Sequence, residues 1–348
     1  MTPFWYPADP RPVVAFLSVP ERGAEKLCFV LGALLASLRL RAPFFFYHKE
    51  AARKLGAVPE YTMAAGLDLP LARLQEHGFV FAQQAGSHHE PDENEETQPG
   101  VILARLKAVG APRAVVLLNV PDDAGASAAA YDNIAQELIA AGQREGLLVT
   151  VSVREVVEPL GAAFGGWLEV KEAVACLDCR GPSDLEELLL SVAAEALLLT
   201  GKAGDVDSAR SAAGAALASG EPRKRFEQYL AAEGASLKAF RTMLASETIW
   251  ATTVDCGTQE EGVITRCDAA LVREIVRDLE SGPGVGGLDQ LAKIGEPFGP
   301  GCTMARIHAG SQDAAERAAD RLHLAFSSTE EDVSPGQRQL RIHRPFVR

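Results

Sequence analysis

A mixed α/β fold is predicted, with a mostly parallel sheet flanked by helices and a smaller α+β lobe at the carboxyl end. Three features of the 348-residue sequence point to it. Strand and helix patterns alternate through about the first 155 residues, and the short links between them imply parallel pairing with right-handed crossovers. The strand patterns are unbroken apolar runs, as in strands covered by helices on both faces. From about Ile249 the texture changes to short strands rich in Gly and Pro.

Residues 12–19 (PVVAFLSV) form an apolar strand, followed by a helix over 24–38. Residues 114–120 (AVVLLNV) are a second strand. An amphipathic helix over 131–145 stops at Gly146, and 147–153 (LLVTVSV) is a third strand. A helical block follows. Ser183-Asp-Leu-Glu186 has the spacing of a capping box and opens a helix over 185–200, which Gly201 closes. Asp205 or Asp207 is placed to cap an Ala-rich helix ending near Gly220, and Pro222 falls in the first turn of another, which runs to about Glu233. Gly282-Pro-Gly-Val-Gly-Gly287, Gly295-Glu-Pro-Phe-Gly-Pro-Gly301 and the run 303–308 mark the smaller lobe. The domains are expected at 1–248 and 249–348. No internal repeat is evident, and the acidic run 88–96 (HHEPDENEE) reads as a solvated surface segment.

With 47% hydrophobic residues the chain can bury a large core. A net charge of −13 leaves no basic field to neutralise phosphates and argues against a nucleic-acid partner. The apolar stretch 27–38 is interrupted by Gly32 and Ser37 and reads as a buried helix rather than a membrane span. The first residues lack the basic start and apolar run of a signal peptide, so a soluble cytoplasmic protein with no membrane partner is expected. Of the six cysteines, Cys28, Cys176, Cys179, Cys256, Cys267 and Cys302, most lie in apolar patterns and read as reduced buried thiols. Cys176-Leu-Asp-Cys179 has the spacing of half a zinc site, but no second Cys or His pair stands near it. His88 and His89 are neighbours on an extended segment, where side chains point apart, so no metal is expected there.

The most informative stretch is Glu158-Pro-Leu-Gly161, then Gly165-Gly-Trp-Leu-Glu-Val-Lys-Glu-Ala173 and Gly181-Pro-Ser-Asp-Leu185. It resembles the pyrimidine-nucleoside phosphorylases (thymidine phosphorylase and its relatives), where Gln-Pro-Leu-Gly leads into Gly-Asn-Ala-Leu-Glu-Val and a Gly-Pro-x-Asp-Leu helix start. Glu158 stands for the Gln and Gly166 for the Asn. The likeness continues through Ala231-Ala-Glu-Gly234, through 262–268, and through 284–293 with Gly295 and Gly301, roughly two-thirds of the chain in all.

In the first third only the pattern persists. The resemblance implies a strand ending in Lys-His-Ser-Thr-Gly-Gly, whose cation and free helix-start amides hold phosphate. Here that motif reads Phe16-Leu17-Ser18-Val19-Pro20-Glu21. The cation is gone, a proline without an N–H stands for a glycine, and the Glu21 carboxylate competes with any bound anion. Ser18 survives, while the Ser further along the helix falls on Cys28. The family's Ser-Gly-Arg becomes Phe46-Tyr47-His48, and its Gly-Gly-Thr-x-Asp becomes Ala64-Ala65-Gly66-Leu67-Asp68. Gln84-Ala-Gly86 still resembles Gln-Thr-Gly, but the Tyr-x-x-Arg that would hold the pyrimidine has no counterpart. The Ser-x-x-x-Lys that follows lands on Val101 and Arg105. The Asp-Val-Lys-x-Gly-Ser-Gly loop becomes Asn119-Val-Pro-Asp-Asp-Ala-Gly125. The family's amino-terminal helical segment, which makes much of its dimer contact, has no counterpart, so a monomer or a dimer through another surface is expected.

Apolar and aromatic residues thus replace polar ligands at the carboxyl ends of the first strands, where open α/β sheets bind ligands. Phe16, Ser18, Phe46, Tyr47, Gln84 and Arg105 are the candidate substrate-binding residues. His48, able to exchange a proton near neutral pH, and Asp68, able to orient a hydroxyl, are the candidate catalytic pair. A lone His is also a common structural residue, Asp68 is placed to cap a helix near Leu69, and the aromatic run equally suits a cleft filled in as core. Three functions stay open. The first is a repurposed relative that binds or transforms a non-phosphate small molecule in a biosynthetic pathway, with phosphorolysis lost. The second is a working phosphorylase or pentosyltransferase with an unusual site, and the third a non-catalytic subunit of a full-length partner. Loss of the cation and amide cradle weighs against the second. No cofactor is implied.

Overall fold

A computed structural model describes residues 14–19, 25–40, 42–45, 79–82, 98–109, 112–121, 128–232, 236–246, 252–257, 261–281, 286–329 and 340–345. The chain opens with β1 (Ala15–Val19), α1 (Glu25–Ser37), β2 (Ala42–Phe45) and β3 (Phe79–Ala82). Then come α2 (Pro99–Val109), β4 (Arg113–Pro121), α3 (Ala128–Arg144) and β5 (Leu148–Val156). These five strands pair in parallel, in the order β5-β4-β1-β2-β3.

The central strand β4 explains its own sequence. Val115 and Leu117 face one core, with Phe16 and with Leu27, Leu31 and Leu34 of α1. Ala114, Val116 and Leu118 face a second core, with Ile102 and Leu106 of α2 and Leu138 of α3. Successive side chains serve opposite faces, so a strand covered on both sides must be apolar throughout.

On the α1 side stack α4 (Gly166–Leu177), α5 (Ser183–Leu199), α6 (Val206–Ala218), α7 (Glu221–Ala232) and α8 (Leu237–Ala245). Trp167 and Phe226 meet Phe240 edge-on, at ring centroid separations of 5.8 and 6.0 Å. Asp205 caps α6 through the Ser208 amide at 2.8 Å, and Ser208 returns the bond in a true capping box. The box expected at Ser183 does not form. Pro182 is the cap residue of α5 and offers no side-chain bond, so Ser183 is already the first helical residue, and the Asp184 carboxylate enters a tertiary ion pair.

The smaller unit holds β6 (Thr252–Gly257), β7 (Gly262–Cys267), α9 (Ala269–Ser281), β8 (Gly287–Asp289) and β9 (Pro297–Phe298). It continues with β10 (Thr303–Ala309), α10 (Gln312–His323) and β11 (Phe326–Thr329). Two three-stranded antiparallel sheets, β6-β10-β8 and β11-β7-β9, enclose a core that includes Ile275, Leu288, Ile307 and Leu322. One strand then leaves it. β12 (Leu340–His343) pairs antiparallel with β5 as the sixth strand of the larger sheet.

Cys176, Cys256 and Cys267 are buried free thiols, and Cys179 and Cys302 are exposed. Among the described residues no group of His, Cys, Asp or Glu is arranged to hold a metal ion, and no helix is long and apolar enough to cross a membrane.

Candidate functional site

The strand order reverses between β1 and β4, since β2 and β3 extend the sheet on one side and β5 on the other. A crevice outside the carboxyl ends of two such strands is the ordinary ligand position of an open α/β sheet. Phe16 and Ser18 approach that point on β1, each 2% exposed. The buried Asn119, near the end of β4, donates from Nδ2 to the Ser18 hydroxyl at 2.9 Å. Neither partner carries a charge, and Phe16 beside them belongs to the core. Of the other residues read from sequence, Phe46, Tyr47, His48, Asp68 and Gln84 lie outside the described residues. Arg105 lies on α2, whose buried residues pack against the face of the sheet opposite Phe16, and its side chain is likewise outside the described residues.

The segment 158–165 is tied down from every side by buried polar groups. Glu158, 2% exposed, accepts from the Ile294 amide at 2.9 Å. The Gly161 amide donates to Asp184 Oδ2 at 2.9 Å, and the Ala162 amide to Glu172 Oε1 at 2.7 Å. Lys26 Nζ, in the heart of the α1 packing, donates to Glu172 Oε2 at 2.7 Å and to the Ala163 carbonyl at 2.5 Å, and sits 4.0 Å above the Phe164 ring. Lys293 Nζ donates to the Pro159 carbonyl at 2.6 Å and to Asp184 Oδ2 at 3.0 Å. Phe164 and Leu288 exchange backbone bonds of 2.7 and 2.8 Å, which join the segment to the smaller unit. The approach is so close that a Cβ on Gly287 would lie 2.2 Å from the Phe164 carbonyl oxygen.

Burial alone would raise the Asp184 carboxyl. The Lys293 ammonium and the amides of Gly161 and Leu185 outweigh it and hold the group below the ordinary aspartate value. Burial lowers the Lys293 ammonium, with Asp184 opposing part of the shift. The buried Cys176 thiol is pushed up to about 12 by burial and then by Glu186 and Glu172, so the Cys176–Cys179 spacing does not create a reactive thiolate.

A cavity of about 1690 Å³ opens between this segment, α4, the start of α5, residues 289–296 of the smaller unit and β12. Leu168, Lys171, Glu172 and Ala175, one face of α4, form a wall of it.

Comparison with known proteins bears on the same stretch. Over 101 residues the chain is 38% identical to thymidine phosphorylase of Homo sapiens, covering 29% of this chain and 21% of that protein. Over 192 residues it is 28% identical to thymidine phosphorylase of Mus musculus, covering 50% and 41%. Over 136 residues it is 30% identical to the pyrimidine-nucleoside phosphorylase of Bacillus subtilis (strain 168), covering 38% and 31%. Over these stretches the chain is similar in sequence to the thymidine and pyrimidine-nucleoside phosphorylases. It spans less than half the length of these relatives in each match. No protein-family profile matches it. Among solved structures, anthranilate phosphoribosyltransferase from Thermus thermophilus is similar at a TM-score of 0.42 and 16% identity, covering 65% of this chain and 79% of that one. The Saccharomyces cerevisiae anthranilate phosphoribosyltransferase is similar at 0.35 and 10%, covering 65% and 74%.

Sequence reasoning found the phosphorylase-like turn but missed the lysines that hold it. Lys26 had a signal, since it is the first charge in an otherwise apolar run of α1 after Glu25. Lys293 had none, because its partners Pro159 and Asp184 lie more than a hundred residues away.

Proposed function

We propose that the protein is a repurposed relative of thymidine phosphorylase that binds or transforms a non-phosphate small molecule at the carboxyl ends of β1 and β4, in a biosynthetic step, with phosphorolysis lost. The observation that carries this reading is the neutral Ser18–Asn119 pair beside the buried Phe16, where the resemblance would put a cation and a carboxylate. A phosphate desolvated against an aromatic ring and a neutral hydroxyl–amide pair would lose its hydration with no charge-assisted bond in return. Phe46, Tyr47 and Gln84 would complete the walls around the ligand, with His48 to move a proton and Asp68 to fix a hydroxyl.

The test is release of free base from thymidine and uridine with and without phosphate. We expect none above a control without protein, and phosphate-dependent release that scales with added protein would end the proposal. For a ligand found by a thermal-shift screen of phosphate-free heteroaromatic compounds, His48→Ala and Asp68→Asn should abolish binding or turnover while leaving Tm within a few degrees. Equal loss of stability and binding would favour a cleft filled in as core.

A further inference from the structure

The cavity between α4 and the smaller unit has walls of two kinds. Six of its carboxylates are engaged inside the protein: Glu158 by the Ile294 amide, Glu172 by Lys26, Asp184 by Lys293, Glu155 by Arg341, Glu187 by Arg210 and Glu296 by the Lys293 amide, while Asp289 lies 3.1 Å from His308 without a hydrogen bond. Other wall groups are not engaged in this way. Among the described residues Ser183, Thr265 and Gln290 make no side-chain hydrogen bond, and Lys171 reaches only the Ser246 carbonyl at 3.4 Å. Gln290 meets the cavity from left-handed backbone, φ 55°, which few non-glycine residues adopt. Between these groups runs an apolar strip of Leu168, Ala175, Ile294 and the 38%-exposed Val157.

This arrangement selects one chemistry. A cationic ligand finds every carboxylate of the wall except Asp289 already bonded within the protein, and Asp289 lies against His308. A dianion would find, among the described residues, one wall cation that no carboxylate holds, Lys171, since Arg180, Lys293 and Arg341 are paired with Asp178, Asp184 and Glu155. A single acid group on Lys171, with hydroxyls for Thr265, Ser183 and Gln290 and a carbon ring for the apolar strip, uses every group that the fold leaves open. We infer that this cavity is a binding site for a small hydroxylated monocarboxylic acid. The inference stands apart from the proposal for the ends of β1 and β4 and does not depend on it.

Isothermal titration with quinate, a hydroxylated ring acid, tests it, with myo-inositol as the uncharged counterpart. Saturable quinate binding is expected, with inositol at least about tenfold weaker. Lys171→Gln should weaken quinate about tenfold and Thr265→Val about threefold, with unchanged circular dichroism, whereas Ser18→Ala, at the other site, should leave it unaltered. No saturable heat at about 20 mM quinate overturns the inference, since a cognate site should bind such a probe in the millimolar range. Equal affinity for inositol overturns it as well, and so does wild-type affinity in both cavity variants.

Discussion

Lys26 is 1% exposed, and a charge so placed persists only where its surroundings replace water. The Glu172 carboxylate, the Ala163 carbonyl and the Phe164 ring do so. Lys26→Met should therefore cost about 3–5 kcal/mol, because Glu172 is left as an uncompensated buried charge. Lys26→Met with Glu172→Gln should recover part of that loss. Urea unfolding of both variants measures it, and an unchanged midpoint in the single variant would refute it. The thiols give a second expectation. Burial pushes Cys267 up to about 12 and Cys256 up to about 11, so with Cys176 they should resist iodoacetamide until the protein unfolds. The exposed Cys179 and Cys302 should label in the native state, as mass spectrometry of digests would show. From sequence these thiols read as buried and reduced, but which of them reach solvent depends on turns such as the left-handed Cys179, φ 56°, that composition does not encode.

The segment 158–165 shows how elements are fixed by one another. Its motif was legible as Glu158-Pro-Leu-Gly161, and the glycines have visible reasons: Gly161 adopts φ 77°, and a Cβ there would lie 2.2 Å from Glu172 Oε2. The capping box at Ser183 was misread for a physical reason. Local spacing suits Ser183 to the cap and Glu186 to the third helical position, but the helix begins one residue earlier, with Pro182 as its cap, and Asp184 pairs with Lys293 of the smaller unit. A pH dependence follows. The folded Asp184 titrates below the unfolded value of 3.8, so its stabilising contribution is complete above that pH. It is lost as the pH falls below 3.8 through the folded value. Asp184→Asn should lower Tm at pH 7, and the difference from wild type should shrink steadily between about pH 4 and pH 2. A difference that stays constant over that range would count against the ion pair. Gly287→Ala should separate the smaller unit from this segment and lower Tm, seen by calorimetry, since the clash is with backbone that cannot swing aside.

At the scale of the whole molecule, the α/β class was readable because β1, β4 and β5 are mainly apolar runs, whereas β2 and β3 were not read as strands. The return of β12 was not readable either. Leu-Arg-Ile-His has no long apolar run, and its place is set by charges on three distant elements. Arg341 meets Asp132 of α3 at 3.0 Å and Glu155 of β5 at 2.9 Å, His343 meets Asp132 at 2.9 Å, and Arg344 grips Glu195 of α5 in a fork of 2.8 and 2.6 Å. Glu195 is 1% exposed, so Arg344→Ala should destabilise the fold by about 3 kcal/mol, measurable by denaturant titration, whereas Arg344→Lys should recover part of it.

The same strand sets a schedule for synthesis. Arg341 leaves the ribosome 186 residues after its partner Glu155. At about 5–20 residues per second, β5 waits on the order of 10–40 s with one row of its amides and carbonyls unclaimed. An apolar strand with such an edge accepts any extended segment that arrives first, including the β5 of a neighbouring nascent chain. Yield of folded protein in the cell should therefore depend on what shields that edge during elongation, more than on the stability of the finished molecule.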